Sequence, residues 1–252
     1  MSRAALRDWR SIIAFSFSIC AIAASVVLGF AYENLRRQLA QFPPLIISGE
    51  HVDVRKFIIW SKLLGTTEPV VVLGDSIVEA SDLPQSICGH SVVNAGISGT
   101  AVAYFVRNAV RLLYDAKPSL VVLAVGINDA SRDGQADRVE PFREAYGATL
   151  RSLSAFPVAV ATITPIGPDA SNVYDAHLVD RFNDVIRQLA NGRMLVDLHK
   201  AVTRNSTIDG IHLNDGIHLS HDGYKLWNAE VVDFIGRTLG CAGSQQLDMP
   251  HT

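Results

Sequence analysis

Four consecutive aliphatic residues, Val70-Val71-Val72-Leu73, stop at Gly74, and this run constrains the fold more than any other feature of the chain. A short, unbroken apolar run suits a strand buried on both faces, as strands of parallel sheets are. Further strand candidates follow at Ser91 to Asn94, Ser119 to Val125, Pro157 to Ile163 and Met194 to Val196. Helical stretches alternate with them near Ala101–Tyr114, Pro141–Leu153, Val173–Leu189 and Tyr224–Leu239. This alternation predicts an α/β fold of three layers, α/β/α, with a parallel sheet covered by helices on both faces. The 252 residues are 48% hydrophobic and 19% charged, which supplies a core and excludes a disordered chain. A net charge of −3 leaves no basic excess to neutralise phosphates, so no nucleic-acid partner is expected.

The N-terminal part is of another kind. Ser11 to Ala31 carries no charged residue, and these 21 positions match the thickness of a bilayer core if helical. Arg3, Arg7 and Arg10 precede the segment, and Arg36 and Arg37 follow it, which favours a cytoplasmic N-terminus. An uncleaved anchor is the preferred reading. A cleaved signal peptide is the rival, with Gly29-Phe30-Ala31 as a cleavage site. Either reading puts the net-acidic remainder outside the cytosol. There Cys88 and Cys241 meet an oxidising medium in which a disulfide is permitted and two buried thiols remain the alternative. The expected organisation is a cytoplasmic tip and transmembrane helix over residues 1–37, then a stalk over 38–66. That stalk includes an amphipathic helix from Val52 to Leu64, whose apolar positions are Val54, Phe57, Ile58 and Leu64. The main α/β domain then covers 67–241 and a flexible tail 242–252.

In an open α/β sheet, ligands bind at the carboxyl ends of strands. Gly74-Asp75-Ser76-Ile77, Asn94-Ala95-Gly96-Ile97-Ser98-Gly99 and Gly126-Ile127-Asn128-Asp129 end the first three strands. Asp215-Gly216-Ile217-His218 lies before the last helix. A serine hydroxyl is a weak nucleophile until a base takes its proton; His218 is a candidate base and Asp215 a carboxylate to orient it. Backbone N–H groups and an Asn side-chain amide can supply oxyanion donors. Each motif by itself reads as an ordinary turn or cap, Asp129 for instance as the cap of the helix that follows it, whereas taken together they leave Asp75 and Asp129 to fix loops by hydrogen bonds to backbone amides. Their order along the chain gives them force. His212, Asp215, His218, His221 and Asp222 include zinc-binding residue types but follow no familiar ligand spacing, and no cofactor or metal is expected.

These four blocks resemble those of the SGNH, or GDSL-type, hydrolase superfamily. The resemblance covers about Pro69 to Leu239 and departs in one place, with Ile77 where the family's first block usually has Leu. It implies a flavodoxin-like domain with Ser76 as nucleophile, Asp215 and His218 completing the triad, and Ser76, Gly96 and Asn128 as the oxyanion hole. Taken together with the N-terminal segment, it leads to the expectation of an exported, membrane-tethered serine esterase, acting on short-chain or carbohydrate O-acyl esters through an acyl-enzyme. Its partners are an ester substrate (glycan, lipid or small molecule) and the membrane, with the catalytic domain on the periplasmic or extracellular side. An O-acyltransferase with the same site and a non-catalytic binding protein on the same fold are the alternatives. A second tetrad, Asp209-Gly210-Ile211-His212, competes with the catalytic one. The helix expected after His218, with Ser220 as its cap and Leu226, Trp227, Val231, Phe234 and Ile235 on one face, decides for His218.

Overall fold

A computed structural model describes residues 21, 24–32, 49–132, 138–190, 194–203, 208–213 and 215–241. The chain divides into two compact units, Met1–Ile46 and Ile47–Thr252. In the first, residues 24–32 are helical and exposed. Most of the expected anchor, and all of the expected tail, lie outside the described residues. Among the described residues no helix is long and apolar enough to cross a membrane.

The second unit carries the sheet. Its elements are α1 (Gly49–Leu63), β1 (Val70–Gly74), α2 (Ser76–Glu79), β2 (Ser86–Ile87), β3 (His90–Gly96), α3 (Val102–Leu113) and β4 (Leu120–Ala124). They continue with α4 (Val139–Ser152), β5 (Val158–Ala161), α5 (Ala176–Ala190), β6 (Met194–Val196), α6 (Leu198–Thr203), α7 (Ile208–Ile211) and α8 (His221–Thr238). The strand order is β2-β3-β1-β4-β5-β6. All pairings are parallel except β2 with β3. Without the β2 edge, the order is that of flavodoxin-like sheets, in which the winding reverses between the first and third strands. Here that crevice opens at the carboxyl ends of β1 and β4.

The aliphatic run at 70–73 forms β1 because it is central. Val70 pairs with Val92 on one side and Leu120 on the other, and all five residues of the strand are buried. Helix α3 packs on α4 and α4 on α5, with Phe142 and Phe182 stacked 3.9 Å apart between the last two. Helix α8 touches α6 and both edge strands, β2 and β6, and so covers the sheet on the side away from that row. Its Trp227, Val231 and Ile235 are fully buried, and Ser220 Oγ accepts from the Gly223 N–H at 3.1 Å, as the sequence led one to expect.

Helix α1 differs from its expected role. It belongs to the same compact unit as the sheet, packing on β3 and α3, rather than to a stalk. The buried residues are Ile59 and Leu63, whereas Val54, Phe57 and Leu64 are more than half exposed. A polar anchor, Arg55, sets that orientation, as described below. Cys88 and Cys241 form a disulfide. Cys88 and Gly89, both at positive φ, make the two-residue turn between β2 and β3, and the bridge ties that hairpin to the end of α8.

Candidate active site

Gly74 ends β1 where a side chain has no room: a Cβ there would lie 2.3 Å from the Ala124 carbonyl oxygen and 2.2 Å from a Val78 methyl. The chain turns at once into α2, with Asp75 as cap accepting from the Ile77 N–H at 3.0 Å. Ser76 is thereby the first residue of α2, half-buried, with its hydroxyl at the sheet edge.

The late loop brings the base to it. His218 Nε2 lies 2.9 Å from Ser76 Oγ, and His218 Nδ1 lies 2.7 Å from Asp215 Oδ2. The other Asp215 oxygen accepts the N–H groups of Ile217 and His218, each at 2.9 Å. Partial burial pushes the Asp215 carboxyl up, but the His218 ring and these two amides outweigh it and hold it below the ordinary Asp range. An ionised acceptor on Nδ1 leaves Nε2 facing the hydroxyl as a proton acceptor. The pair is open to solvent: the His218 side chain is 37% exposed and that of Asp215 48%.

The competing tetrad does different work. His212 Nε2 lies 2.8 Å from the Pro165 carbonyl oxygen, and His212 bridges Leu219 across the loop. The Leu213 N–H donates to the His218 carbonyl at 2.8 Å. Gly216, at φ +69°, makes the turn between them, where a Cβ would lie 2.6 Å from the Ala170 nitrogen. His212 therefore helps to hold the loop that presents His218.

Asn128 stands on the 3₁₀ turn Asn128–Ala130 after β4, where its Nδ2 donates to the Thr100 carbonyl at 3.0 Å. One amide hydrogen is spent on orientation and the second remains. Asp129 fixes a neighbouring segment through a backbone amide, as expected of it. Its Oδ2 accepts from the Val102 N–H at 3.0 Å, so it caps α3, whose own Ala101 cannot, and not the helix that follows. Burial pushes its carboxyl up to about 6.

Gly96 departs from expectation. Its N–H donates to Asn94 Oδ1 at 3.0 Å, and a Cβ on it would lie 2.2 Å from the Glu79 nitrogen. The glycine is needed for close packing against α2, and its amide is committed elsewhere. Gly99, three residues on, was not singled out by the sequence. It is exposed, with φ +71°, at the third position of the turn Ile97–Thr100, closed by a bond from the Thr100 N–H to the Ile97 carbonyl at 3.3 Å. Ser98 is not at positive φ, so this is a type II turn, which needs glycine there. Among the described residues the other amides of the turn all have acceptors, and the Gly99 N–H has none: Ile97 bonds Gly74, Ser98 bonds Glu79 and Thr100 bonds Ile97.

Asp75 sits beneath the site, 2% exposed. Burial pushes its carboxyl up to about 7, against the amides of Ile77 and Gly126 and the charge of His218, which pull it down. Tyr224 donates to the Ile77 carbonyl at 3.1 Å and so braces α2 from α8; burial raises its phenol.

With the serine, imidazole and carboxylate in line, comparison with known proteins is informative. A model of the GDSL-like lipase/acylhydrolase family matches residues 72–226. The chain belongs to this family. It is accordingly an ester hydrolase, and every residue of the relay lies within the matched span. Its fold is similar to a structure from Streptococcus pneumonia described in connection with platelet activating factor (TM-score 0.62, 21% identity, 82% of this chain and 99% of that one). It is also similar to the lipase/acylhydrolase from Enterococcus faecalis (TM-score 0.56, 24% identity, 71% and 100%). A third likeness is to the acetylxylan esterase Axe2 from Geobacillus stearothermophilus (TM-score 0.54, 20% identity, 69% and 96%). No curated protein matches the sequence.

Proposed function

We propose that the chain is an exported, membrane-tethered serine esterase that removes short acyl groups, O-acetyl esters of polysaccharides above all, through an acyl-enzyme on Ser76. The observation that carries this reading is the unbroken relay from Asp215 through His218 to Ser76 Oγ. Ser76 Oγ attacks the ester carbonyl and His218 Nε2 takes its proton. The tetrahedral oxyanion is received by the N–H groups of Ser76 and Gly99 and by Asn128 Nδ2. Collapse expels the alcohol, which leaves with the proton from His218. Water, deprotonated by the same imidazole, then attacks the acyl-enzyme, and the acid departs as Ser76 regains its proton.

Two features favour a small acyl group on a bulky carrier. The Asp–His pair is open to solvent, so a polymer can lie across it. An acetylxylan esterase is among the proteins of similar fold. Export is favoured by the Cys88–Cys241 disulfide, a bond that persists in oxidising compartments, and by the uncharged segment from Ser11 to Ala31. The test is acetate release from O-acetylated polysaccharides together with labelling by a fluorophosphonate probe. Ser76→Ala should abolish both while the protein still folds; near-normal turnover in that variant would end the serine mechanism. Resistance to carbonate extraction, with the initiating end retained, tests the tether.

A further inference from the structure

The Ile97–Thr100 turn is held by Glu79, and Glu79 is held in turn by residues of α1 that lie outside the family-matched span. Glu79, three residues after Ser76 on α2, turns one carboxylate oxygen onto Ser98, accepting from its N–H at 2.6 Å and from its Oγ at 2.7 Å. The carboxylate also faces His51 Nε2 at 3.1 Å and Arg55 Nε at 3.5 Å, both from α1. Arg55 reaches further, with Nε donating to the Gly96 carbonyl at 2.9 Å and Nη2 to the Asn94 carbonyl at 3.3 Å. Asn94 closes the set, accepting from Gly96 and donating to the Val78 carbonyl at 2.6 Å. The side chains of Arg55 and Glu79 are 14% and 17% exposed, so these charge-assisted bonds are shielded from water.

We propose that Glu79 and Arg55 are positioning residues for the oxyanion hole, fixing the Ile97–Thr100 turn through Ser98 so that the Gly99 amide stays aimed at the reacting carbonyl. The proposal rests on the reading of Gly99 and Asn128 as oxyanion donors. The turn is then held at both ends: Glu79 grips the Ser98 end, and Asn128 grips the Thr100 carbonyl. The Ser98–Gly99 peptide between them is the one whose orientation matters. Two bonds from one carboxylate to the N–H and hydroxyl of Ser98 leave that residue little freedom. Arg55 keeps the carboxylate in place and clamps the end of β3 from which the turn departs. Through Arg55, helix α1 thereby supports the oxyanion turn, although the family match begins at residue 72.

The test uses the full chain, p-nitrophenyl acetate as substrate and a trifluoromethyl ketone as transition-state analogue, with melting temperature as the check on folding. Glu79→Gln keeps size and one acceptor but loses the charge. It should lower kcat by roughly ten- to a hundredfold, leave KM within about threefold, and weaken the ketone by the same factor as kcat. Arg55→Lys, which keeps the charge but not the fork, should show a smaller loss of the same pattern and serves where Glu79→Gln fails to fold. Lys62→Ala, exposed on the same helix, should change nothing. Asn128→Ala is measured in parallel. If it leaves kcat and ketone affinity intact, the oxyanion reading is wrong and this proposal falls with it. If Asn128→Ala loses both, while the Glu79 and Arg55 variants lose only melting temperature or only KM, the donors stand and the positioning role is refuted.

Discussion

Replacing Asp75 with Asn should make the protein more stable at neutral pH and slower as a catalyst. Burial lifts the Asp75 carboxyl from 3.8 to about 7. At acid pH, below the ordinary Asp range, the group is protonated in both folded and unfolded chains and costs nothing. As the pH rises, the unfolded chain ionises first, so the fold loses stability until the pH passes about 7, after which the loss is constant. About three units at about 1.36 kcal/mol each set the full loss at about 4 kcal/mol, an upper bound for a single isolated group. Between about pH 5 and about pH 7.5 the unmodified chain should lose roughly 2–3 kcal/mol relative to the Asn variant. Asn keeps an acceptor for the Ile77 N–H and loses the one for the Gly126 N–H, a cost that is the same at both pH values and so drops out of the comparison. Asp129, also raised by burial, follows the same trend in both proteins and largely cancels from the comparison. Urea unfolding of the two proteins at the two pH values measures the difference. A free-energy difference that stays flat across that range would refute the reasoning. The Asp75 carboxylate also interacts electrostatically with the His218 ring and stabilises the positive charge that develops there as Ser76 attacks, so its removal should lower kcat roughly fivefold at neutral pH.

Gly96→Ala should destabilise the fold by about 3 kcal/mol or more, because the new Cβ would stand 2.2 Å from the Glu79 nitrogen and 2.6 Å from its Cα, and backbone cannot swing aside; an unchanged thermal transition would contradict this packing role. His218→Ala should cost about four orders of magnitude in kcat, whereas His212→Ala should cost at most about tenfold, through a looser loop. The opposite ranking at equal folded fraction would overturn the assignment of the base. Cys88→Ser opens a loop of 153 residues and should cost up to about 5 kcal/mol of stability, read from the denaturation midpoint of unreduced protein. Equal midpoints for the two proteins would show the bridge to be without weight.

The parallel core was legible because its strands are buried on both faces, so the aliphatic runs at 70–73 and 119–125 carry the signal without any periodicity. Strand β2, two residues long, and the short helices α6 and α7 offer no pattern of useful length and were not foreseen. Helix α1 was foreseen as a helix, but its buried face was misread. The apolar residues at 54, 57 and 64 suggested one face, while Arg55 turns another towards β3 by bonding the Gly96 and Asn94 carbonyls. Tertiary bonds from a buried cation override a weak apolar stripe. The juxtaposition of Ser76 and His218 was legible because both residue types carry their reactivity in the side chain. The unpaired Gly99 amide was not, since an amide bears no residue label. Gly96 and Gly99 look alike in sequence, and what separates them is where the Asn94 side chain points.

The repeated Asp-Gly-Ile-His tetrad shows the same limit and how the fold resolves it. Both histidines end on a loop that closes on itself, through the Leu213–His218 bond and the pairing of His212 with Leu219. The first copy meets the strand-end segment after β5, where the Pro165 carbonyl takes up its Nε2. The second copy meets the crevice after β1, where the same atom finds a serine hydroxyl. Chemistry follows from what each imidazole faces, and that is set by the cap on α8: Ser220 starts the helix two residues after His218, so the base stands against a rigid element whose Trp227 and Val231 are locked in the core. A residue pair that local sequence cannot tell apart is thus separated by six positions of chain and one helix start.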